Sequence, residues 1–138
     1  MEWLIDGVEQ MESLAEELAG SIQSPQMWAL SGTLGAGKTH FSKGFARGLG
    51  YIGDVTSPTF SLVQEYHGGR FPIFHFDWYR LKSAEEVLAI GWDEYLDRQG
   101  ILLVEWADLF PELWPSATQH LTIEIQDSQR LVRRKYIC

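Results

Sequence analysis

One glycine-rich run holds the residues with the clearest chemistry in this sequence. Residues 32–39 read Gly-Thr-Leu-Gly-Ala-Gly-Lys-Thr and match G-x-x-x-x-G-K-[ST] in full. Such a run binds phosphate, because its glycines let backbone N–H groups turn inward and the following helix adds its positive end. Lys38 would reach the β- and γ-phosphates, and the Thr39 hydroxyl would bind Mg²⁺. The residues assigned to nucleotide binding here are Gly32, Thr33, Leu34, Gly35, Ala36, Gly37, Lys38, Thr39 and His40.

Two acids are candidates for the groups that bind metal and activate water beside such a loop. Glu105 and Asp77 each end an apolar run of strand type. In nucleotide hydrolases with a phosphate-binding loop, an acid at the end of a neighbouring strand holds the metal or its waters opposite the phosphates. We assign Glu105 and Thr39 to the metal, and Asp77, Lys38 and Glu105 to catalysis. The spacing leaves open which acid binds metal and which aligns water.

The elements that must position these residues alternate between helix and strand types, which predicts an α/β fold. Helical spacing predicts a helix over residues 7–20, opened by a capping box of Asp6 and Glu9. An apolar run over 27–30 predicts a strand before the glycine loop, and a helix follows the loop. Further predicted elements are strands over 61–67 and 70–79, helices over 83–90 and 92–98, a buried strand over 101–104, and strands over 121–126 and 131–137.

Two of these strand pairs should be antiparallel. Gly68-Gly69 between the strands over 61–67 and 70–79 is typical of a two-residue hairpin turn, and the last two strands form a closing β pair. We therefore predict one nucleotide-hydrolase domain of the phosphate-loop class over residues 1–138. Its central mixed sheet would be flanked by helices, with an antiparallel hairpin and a C-terminal β pair.

Length and composition exclude several other classes of protein. The 138 residues are 45% hydrophobic and 13% aromatic, enough for one core and too apolar for a disordered chain. Eleven basic against nineteen acidic residues give a net charge of −8, so any RNA contact should be local or indirect. The single cysteine excludes a disulfide framework. The sequence shows no basic leader and no membrane-length apolar stretch, and we expect a cytoplasmic protein that does not contact membranes.

Four motifs of this sequence resemble those of the TsaE (YjeE) family in order and rough spacing. They are the loop at 32–39, Ser-Pro-Thr-Phe at 57–60, His-Phe-Asp-Trp-Tyr-Arg at 75–80 and Val-Glu-Trp at 104–106. The resemblance covers nearly the whole chain. It implies a bacterial ATPase required for threonylcarbamoylation of adenosine 37 in tRNA, with the proteins TsaB and TsaD as partners. Thr33 and His40 depart from the residues common at those positions in the family.

ATP and Mg²⁺ are the expected ligands. Guanine-selecting hydrolases of this class use an Asn-Lys-x-Asp motif, and this chain contains no asparagine. Two other functions stay open, a small-molecule kinase and a nucleotide-gated binding module with negligible hydrolysis. The strand hairpin with Arg70, ending just before Arg80, is the candidate acceptor site for a kinase.

Several further residues have two interpretations. Ser57 and Thr59 flank Pro58 on a stiff segment. By resemblance to switch segments that sense phosphate and metal, we assign both to nucleotide binding; the alternative is a simple strand entrance. Trp106 either packs in the core or responds to the nucleotide. Arg80 is a candidate for ordering by a partner. The basic cluster is either a solvated strand face or a docking site for tRNA or a partner; it consists of Arg130, Arg133, Arg134 and Lys135.

Overall fold

A computed structural model describes residues 1–32 and 37–137 of the chain. The strands are β1 (Glu2–Ile5), β2 (Gln26–Gly32), β3 (Val63–Tyr66), β4 (Ile73–Asp77), β5 (Ile101–Glu105), β6 (Thr118–Gln126) and β7 (Gln129–Ile137). The α-helices are α1 (Val8–Gly20), α2 (Lys38–Gly48), α3 (Ala84–Ala89) and α4 (Trp92–Asp97), and two short 3₁₀ turns span Ala107–Leu109 and Pro111–Leu113. None of the helices in these two ranges has the length and apolar character needed to cross a membrane.

All seven strands join one mixed sheet in the order β1-β7-β6-β2-β5-β4-β3. The four central strands β6, β2, β5 and β4 are parallel, while β1, β7 and β3 pair antiparallel with their neighbours. This confirms the predicted mixed α/β sheet, its antiparallel hairpin and its C-terminal pair. Because β2, β4 and β5 run in the same direction, their carboxyl ends meet at one edge of the sheet.

The strands bury both faces of the sheet, since successive side chains point to opposite sides. Helices α1 and α2 cover one face and enclose a core that includes Trp28, Leu30, Phe41, Phe45, Leu103 and Ile123. The other face packs against α3, α4 and the segment after β5, and its core includes Met27, Phe74, Phe76, Trp78, Trp92 and Val104. Residues 73, 75 and 77 of β4 therefore share the face of α1 and α2.

Small residues bring α2 close to α1. A Cβ added at Gly44 would overlap the carbonyl oxygen of Glu12, and one at Gly48 would overlap that of Glu16. On the exposed side of the same contact, Arg47 donates to Glu12 and Glu16 at 3.2 and 2.8 Å. The backbone of α2, which begins at Lys38, is thus held directly against α1.

The predicted capping box at the start of α1 is wrong. The helix begins after Gly7, which caps it without a side-chain hydrogen bond. The Asp6 N–H instead donates to Oε1 of Gln10 at 2.9 Å, so the glutamine on the next turn replaces the expected Glu9. The second capping sequence does form, because the Ser83 hydroxyl accepts from the Glu86 N–H at 3.3 Å.

The hairpin between β3 and β4 is antiparallel as predicted, but its predicted two-residue turn is wrong. Tyr66 pairs with Ile73, so a six-residue loop over 67–72 joins the strands. Tertiary contacts hold this loop. The Arg70 N–H donates to the Leu49 carbonyl at 2.7 Å, and the Arg70 guanidinium donates to carbonyls at the end of α1, those of Ala19 and Ile22, at 3.0 and 2.9 Å.

Candidate functional site

A cavity of about 320 Å³ opens where β4 and β5 end and α2 begins. It brings together most of the residues that the sequence nominates. Gly32 ends β2 nearby, and the assigned residues Thr33, Leu34, Gly35 and Ala36 lie outside the described ranges. The described residues that line the cavity are Gly37, Lys38, Thr39, His40, Ser57, Thr59, Asp77, Glu105 and Trp106.

Two glycines, Gly32 and Gly37, shape the described ends of the glycine-rich run. Gly32 has a φ of 146°, and a Cβ there would overlap the carbonyl oxygen of Ile123 on the neighbouring strand β6. Gly37 has a φ of 111° and precedes the first residue of α2. Both positions need the left-handed backbone that glycine tolerates. The chain therefore leaves β2 tight against β6 and enters α2 with the helix N-terminus at the cavity.

Lys38 lies buried at the start of α2. Its Nζ donates to the carbonyl of Gly32 at 3.1 Å and lies 4.3 Å from the centre of the Trp106 ring. Burial lowers the pKa of the Lys38 ammonium, and the negative charges of Glu105 and Asp77 act in the opposite direction. The two acids thus favour the charged form of the lysine, and partial desolvation strengthens the attraction of this ammonium to a phosphate.

Glu105 ends β5 and pairs in register with Leu30 of β2 and Asp77 of β4. Its side chain is buried, and Oε2 lies 2.6 Å from Nε2 of His75. His75 comes two residues before Asp77 on β4 and so shares its face of the sheet. The metal-site acid predicted from the sequence is therefore held by a neighbour that the sequence analysis did not include in the site.

Asp77 is held by different groups. Its Oδ2 accepts from the Thr59 hydroxyl at 2.9 Å, and its Oδ1 accepts from the Tyr79 N–H at 2.8 Å. The Ser57 and Thr59 hydroxyl oxygens lie 2.7 Å apart. Burial raises the pKa of Asp77, while these two hydrogen bonds lower it. The segment around Pro58 thus contacts the site acid directly, as a switch segment would, and β3 begins only at Val63.

The donor atoms around the cavity suit a hard divalent cation. Thr39 offers a hydroxyl, and Asp77 and Glu105 offer carboxylates on adjacent strands. Mg²⁺ prefers oxygen ligands and is typically held by one or two protein groups together with phosphate and water. These side chains could therefore hold Mg²⁺ against a bound phosphate.

A second cavity, of about 280 Å³, adjoins the first through shared lining residues Gly37 and His40. Its wall also includes Asp6 before α1, Ser128 in the turn between β6 and β7, and Arg130 at the start of β7. The sequence analysis did not identify this cavity, because about 90 residues separate Gly37 from Ser128 along the chain and only the sheet order joins them. Arg130 is the one member of the basic cluster in its described lining.

Two further residues of the basic cluster, Arg133 and Arg134, have local partners. Arg133 donates to Glu2 and Glu124 at 2.8 and 3.1 Å. Arg134 donates to Oε1 of Gln119 at 2.9 Å and lies over the Trp28 ring. These contacts favour the interpretation of the cluster as a strand face over that of a docking site.

The fold and site define a mixed α/β protein whose candidate phosphate site lies at the carboxyl edge of its parallel strands. Comparison with known families agrees with this class: the model of the family described as "Threonylcarbamoyl adenosine biosynthesis protein TsaE" matches residues 5–136. The chain belongs to the TsaE family, as its sequence motifs predict.

Individual relatives support the same membership. The tRNA threonylcarbamoyladenosine biosynthesis protein TsaE of Bacillus subtilis is 40% identical over 124 residues, covering 90% of this chain and 77% of that protein. The protein of the same description from Rickettsia felis is 34% identical over 128 residues, covering 92% and 74%. The crystal structure of Bacillus subtilis YdiB superposes with a TM-score of 0.85 at 34% identity, covering all of this chain and 86% of that one.

Proposed function

We propose that this chain is a Mg²⁺-dependent ATPase subunit in tRNA threonylcarbamoyladenosine biosynthesis. It acts in the cytoplasm with TsaB and TsaD as partners. Residues 1–138 would form one domain with the phosphate-loop hydrolase fold. The pathway follows from membership of the TsaE family. One observation supports the chemistry above all others: Lys38, Thr39, Asp77 and Glu105 line the same cavity. Together they supply the cation, the hydroxyl and the two acids that phosphoryl transfer to water requires.

Each of these groups has a task that fits its position. The Lys38 ammonium neutralises charge on the β- and γ-phosphates, and the N–H groups at the start of α2 add donors for the same oxygens. The Thr39 hydroxyl and the Glu105 carboxylate hold Mg²⁺, which when bound neutralises charge developing on the phosphates. Asp77, whose pKa is raised by burial, orients the attacking water and accepts its hydrogen bond.

ATP is the nucleotide that the chain suits best. The absence of asparagine from the sequence excludes the Asn-Lys-x-Asp route to guanine. We assign the purine base to the cavity of about 280 Å³, because this cavity shares Gly37 and His40 with the phosphate cavity. Asp6 and Ser128 in its wall are polar groups that could accept from the exocyclic amine of adenine.

Hydrolysis by the isolated chain should be slow. None of the described residues that line the phosphate cavity is an arginine. Arg80 is exposed, and its guanidinium lies 5.0 Å from the centre of the Phe60 ring. An added arginine commonly accelerates phosphoryl transfer by stabilising charge in the transition state. This arrangement favours activation by a partner, and it equally supports the alternative of a nucleotide-gated module with negligible hydrolysis.

The kinase alternative has less support. Arg70, the residue that suggested an acceptor site in the hairpin, donates to the Ala19 and Ile22 carbonyls and so braces the loop against α1. Contact with tRNA should be indirect or local, because the chain carries a net charge of −8 and Arg133 is paired with Glu2 and Glu124.

A hydrolysis assay with ATP and GTP, with and without TsaB and TsaD, tests the proposal. We expect slow Mg²⁺-dependent release of phosphate from ATP that rises when the partners are added. Phosphorylation of an added acceptor would favour the kinase. ATP binding without turnover, even with both partners present, would favour the nucleotide-gated binding module over the ATPase and the kinase.

A further inference from the structure

Three side chains from adjacent strands form a buried row that ends at Glu105. The Tyr66 hydroxyl of β3 lies 2.9 Å from Nδ1 of His75 on β4, and Nε2 of His75 lies 2.6 Å from Oε2 of Glu105 on β5. All three residues are buried, with His75 at 0% exposure. The order of the row follows the order β3-β4-β5 in the sheet.

The chemistry of the contacts fixes the direction of the hydrogen bond to the acid. A carboxylate that binds a cation is ionised and only accepts, so in a metal-bound site Nε2 of His75 would carry the proton that Oε2 of Glu105 receives. Among the described residues, His75 is the only hydrogen-bond partner of this carboxylate, and the contact uses Oε2. The histidine contact uses this one carboxylate oxygen, and Glu105 lines the cavity.

Two further contacts hold the imidazole ring. Nδ1 lies 2.9 Å from the Tyr66 hydroxyl, which has a single proton to donate and also lies 2.8 Å from Oε1 of Gln64. On the other side, the Ser42 hydroxyl lies 3.3 Å from Nε2 and donates to the carbonyl of Lys38 at 2.9 Å. The ring therefore links the start of α2, which carries Thr39, to the acid at the end of β5.

From this geometry we propose that His75, oriented by Tyr66, is a positioning residue that holds the Glu105 carboxylate in the orientation that binds a divalent cation. The inference rests on the proposed function, because it concerns the metal of that same site. A hydrogen bond from a neighbouring side chain orients a ligating group, and losing such a contact typically costs about 10- to 100-fold in metal affinity. A role confined to core packing would affect stability and leave metal affinity unchanged.

Metal affinity is the appropriate measurement, because a structural role would not alter it selectively. Mn²⁺ serves as the probe, and free Mn²⁺ is measured by electron paramagnetic resonance on the full chain with saturating ADP. Tyr66→Phe removes the hydroxyl and keeps the ring. Tyr51→Phe is the matched control, since the Tyr51 ring packs 4.9 Å from that of Tyr66 and its hydroxyl donates to the Asp54 carbonyl away from the cavity.

A second pair of variants tests the histidine itself. His75→Leu removes the donor to Glu105, whereas His75→Gln keeps an N–H donor of similar reach. We expect at least tenfold weaker Mn²⁺ binding for His75→Leu, restoration to within about threefold of wild type for His75→Gln, and a loss of about threefold or more for Tyr66→Phe. Tyr51→Phe should bind Mn²⁺ as the wild type does. ADP affinity without metal and the melting temperature are measured for every variant.

Two results separate failure of this inference from failure of the proposed function. If the wild-type chain binds Mn²⁺ with ADP and folded Tyr66→Phe and His75→Leu chains bind it equally well, the positioning role is wrong and the nucleotide site stands. If the wild-type chain binds neither ADP nor Mn²⁺ with ADP, the proposed function fails and the inference fails with it. If the His75→Leu chain does not fold, the comparison of Mn²⁺ affinity between Tyr66→Phe and Tyr51→Phe decides whether the positioning role is correct.

Discussion

Asp77 and Glu105 are register partners at the carboxyl ends of the adjacent parallel strands β4 and β5. The two acids are equivalent by position and different in surroundings. Thr59 and the Tyr79 N–H hold Asp77, whereas His75 holds Glu105. Thr59 lies in the segment outside the sheet, before β3, whereas His75 lies within β4. This difference supports Glu105 as the metal ligand and Asp77 as the group that responds to water and nucleotide.

Removing either phosphate-loop side chain should abolish most turnover. Lys38→Ala loses the buried cation and Thr39→Ala loses the hydroxyl for Mg²⁺, so each should lower ATP hydrolysis at least about tenfold. Phosphate release measured at saturating Mg²⁺ checks this. Lys43→Ala, on the exposed side of α2, is the matched control and should keep wild-type rates. Wild-type hydrolysis by a folded Lys38→Ala chain would contradict the assignment.

The two acids should respond differently to neutral replacements. Glu105→Gln should raise the Mg²⁺ concentration needed for half-maximal hydrolysis, since it removes a charged metal ligand. Asp77→Asn should bind ATP normally and turn it over slowly, since it removes the group that aligns water. Mg²⁺ titrations of hydrolysis, together with ATP binding measured separately, distinguish the two effects. The opposite pattern would exchange the roles, and unchanged kinetics in both variants would remove the acids from the site.

Partner activation should depend on Arg80. We expect TsaB and TsaD together to raise ATP hydrolysis several-fold, and Arg80→Ala to lose most of that increase if docking turns this exposed guanidinium toward the phosphates. Arg47→Ala is the control, because Arg47 pairs with Glu12 and Glu16 on α1. Rates are compared with and without partners in samples where complex formation is verified. Equal rates would refute activation and leave the ATPase proposal intact.

The contact between α1 and α2 should make Gly44 intolerant of substitution. Gly44→Ala places a methyl group on the Glu12 carbonyl oxygen, and we expect the free energy of unfolding to fall by about 2 kcal/mol. Gly20→Ala is the control, because a Cβ there would have no atom within 4 Å apart from its chain neighbours and the backbone of its own helix. Urea unfolding measures both variants. Equal stability of the Gly44→Ala and wild-type chains would show that α1 and α2 can separate at little cost.

Glu65 should stabilise the protein in a pH-dependent manner. Its carboxylate accepts two hydrogen bonds from Arg98 at 2.9 Å each, and chiefly for this reason the pKa of Glu65 falls from 4.5 to about 2. A lowered pKa in the folded state stabilises it fully above pH 4.5, and this contribution declines as the pH falls toward 2.

The replacement Glu65→Gln should therefore cost about 1 kcal/mol at pH 7, a value kept small because the pair is partly exposed to solvent. The difference from wild type in urea unfolding should be smaller at pH 3.5 than at pH 7. A difference that grows on acidification would contradict the stated shift in the pKa of Glu65.

Local sequence patterns predicted most elements that their own residues define. The apolar run before the glycine loop, the capping sequence at Ser83 and the buried strand ending at Glu105 all appear as predicted. Predictions failed where distant contacts decide local structure. The hairpin loop has six residues because Arg70 reaches the end of α1, and the four-residue strand β1 was not predicted because its pairing with β7 defines it.

The sequence by itself determined the family, and it predicted the phosphate-binding loop and the two candidate acids, because these depend on residue types at fixed spacing. Only the tertiary structure decided what surrounds each acid. Glu105 meets His75 and Asp77 meets Thr59 because strand order and register bring separate segments together at one sheet edge. Such contacts leave no local signal, since the spacing of residues along a chain does not specify which strands become neighbours.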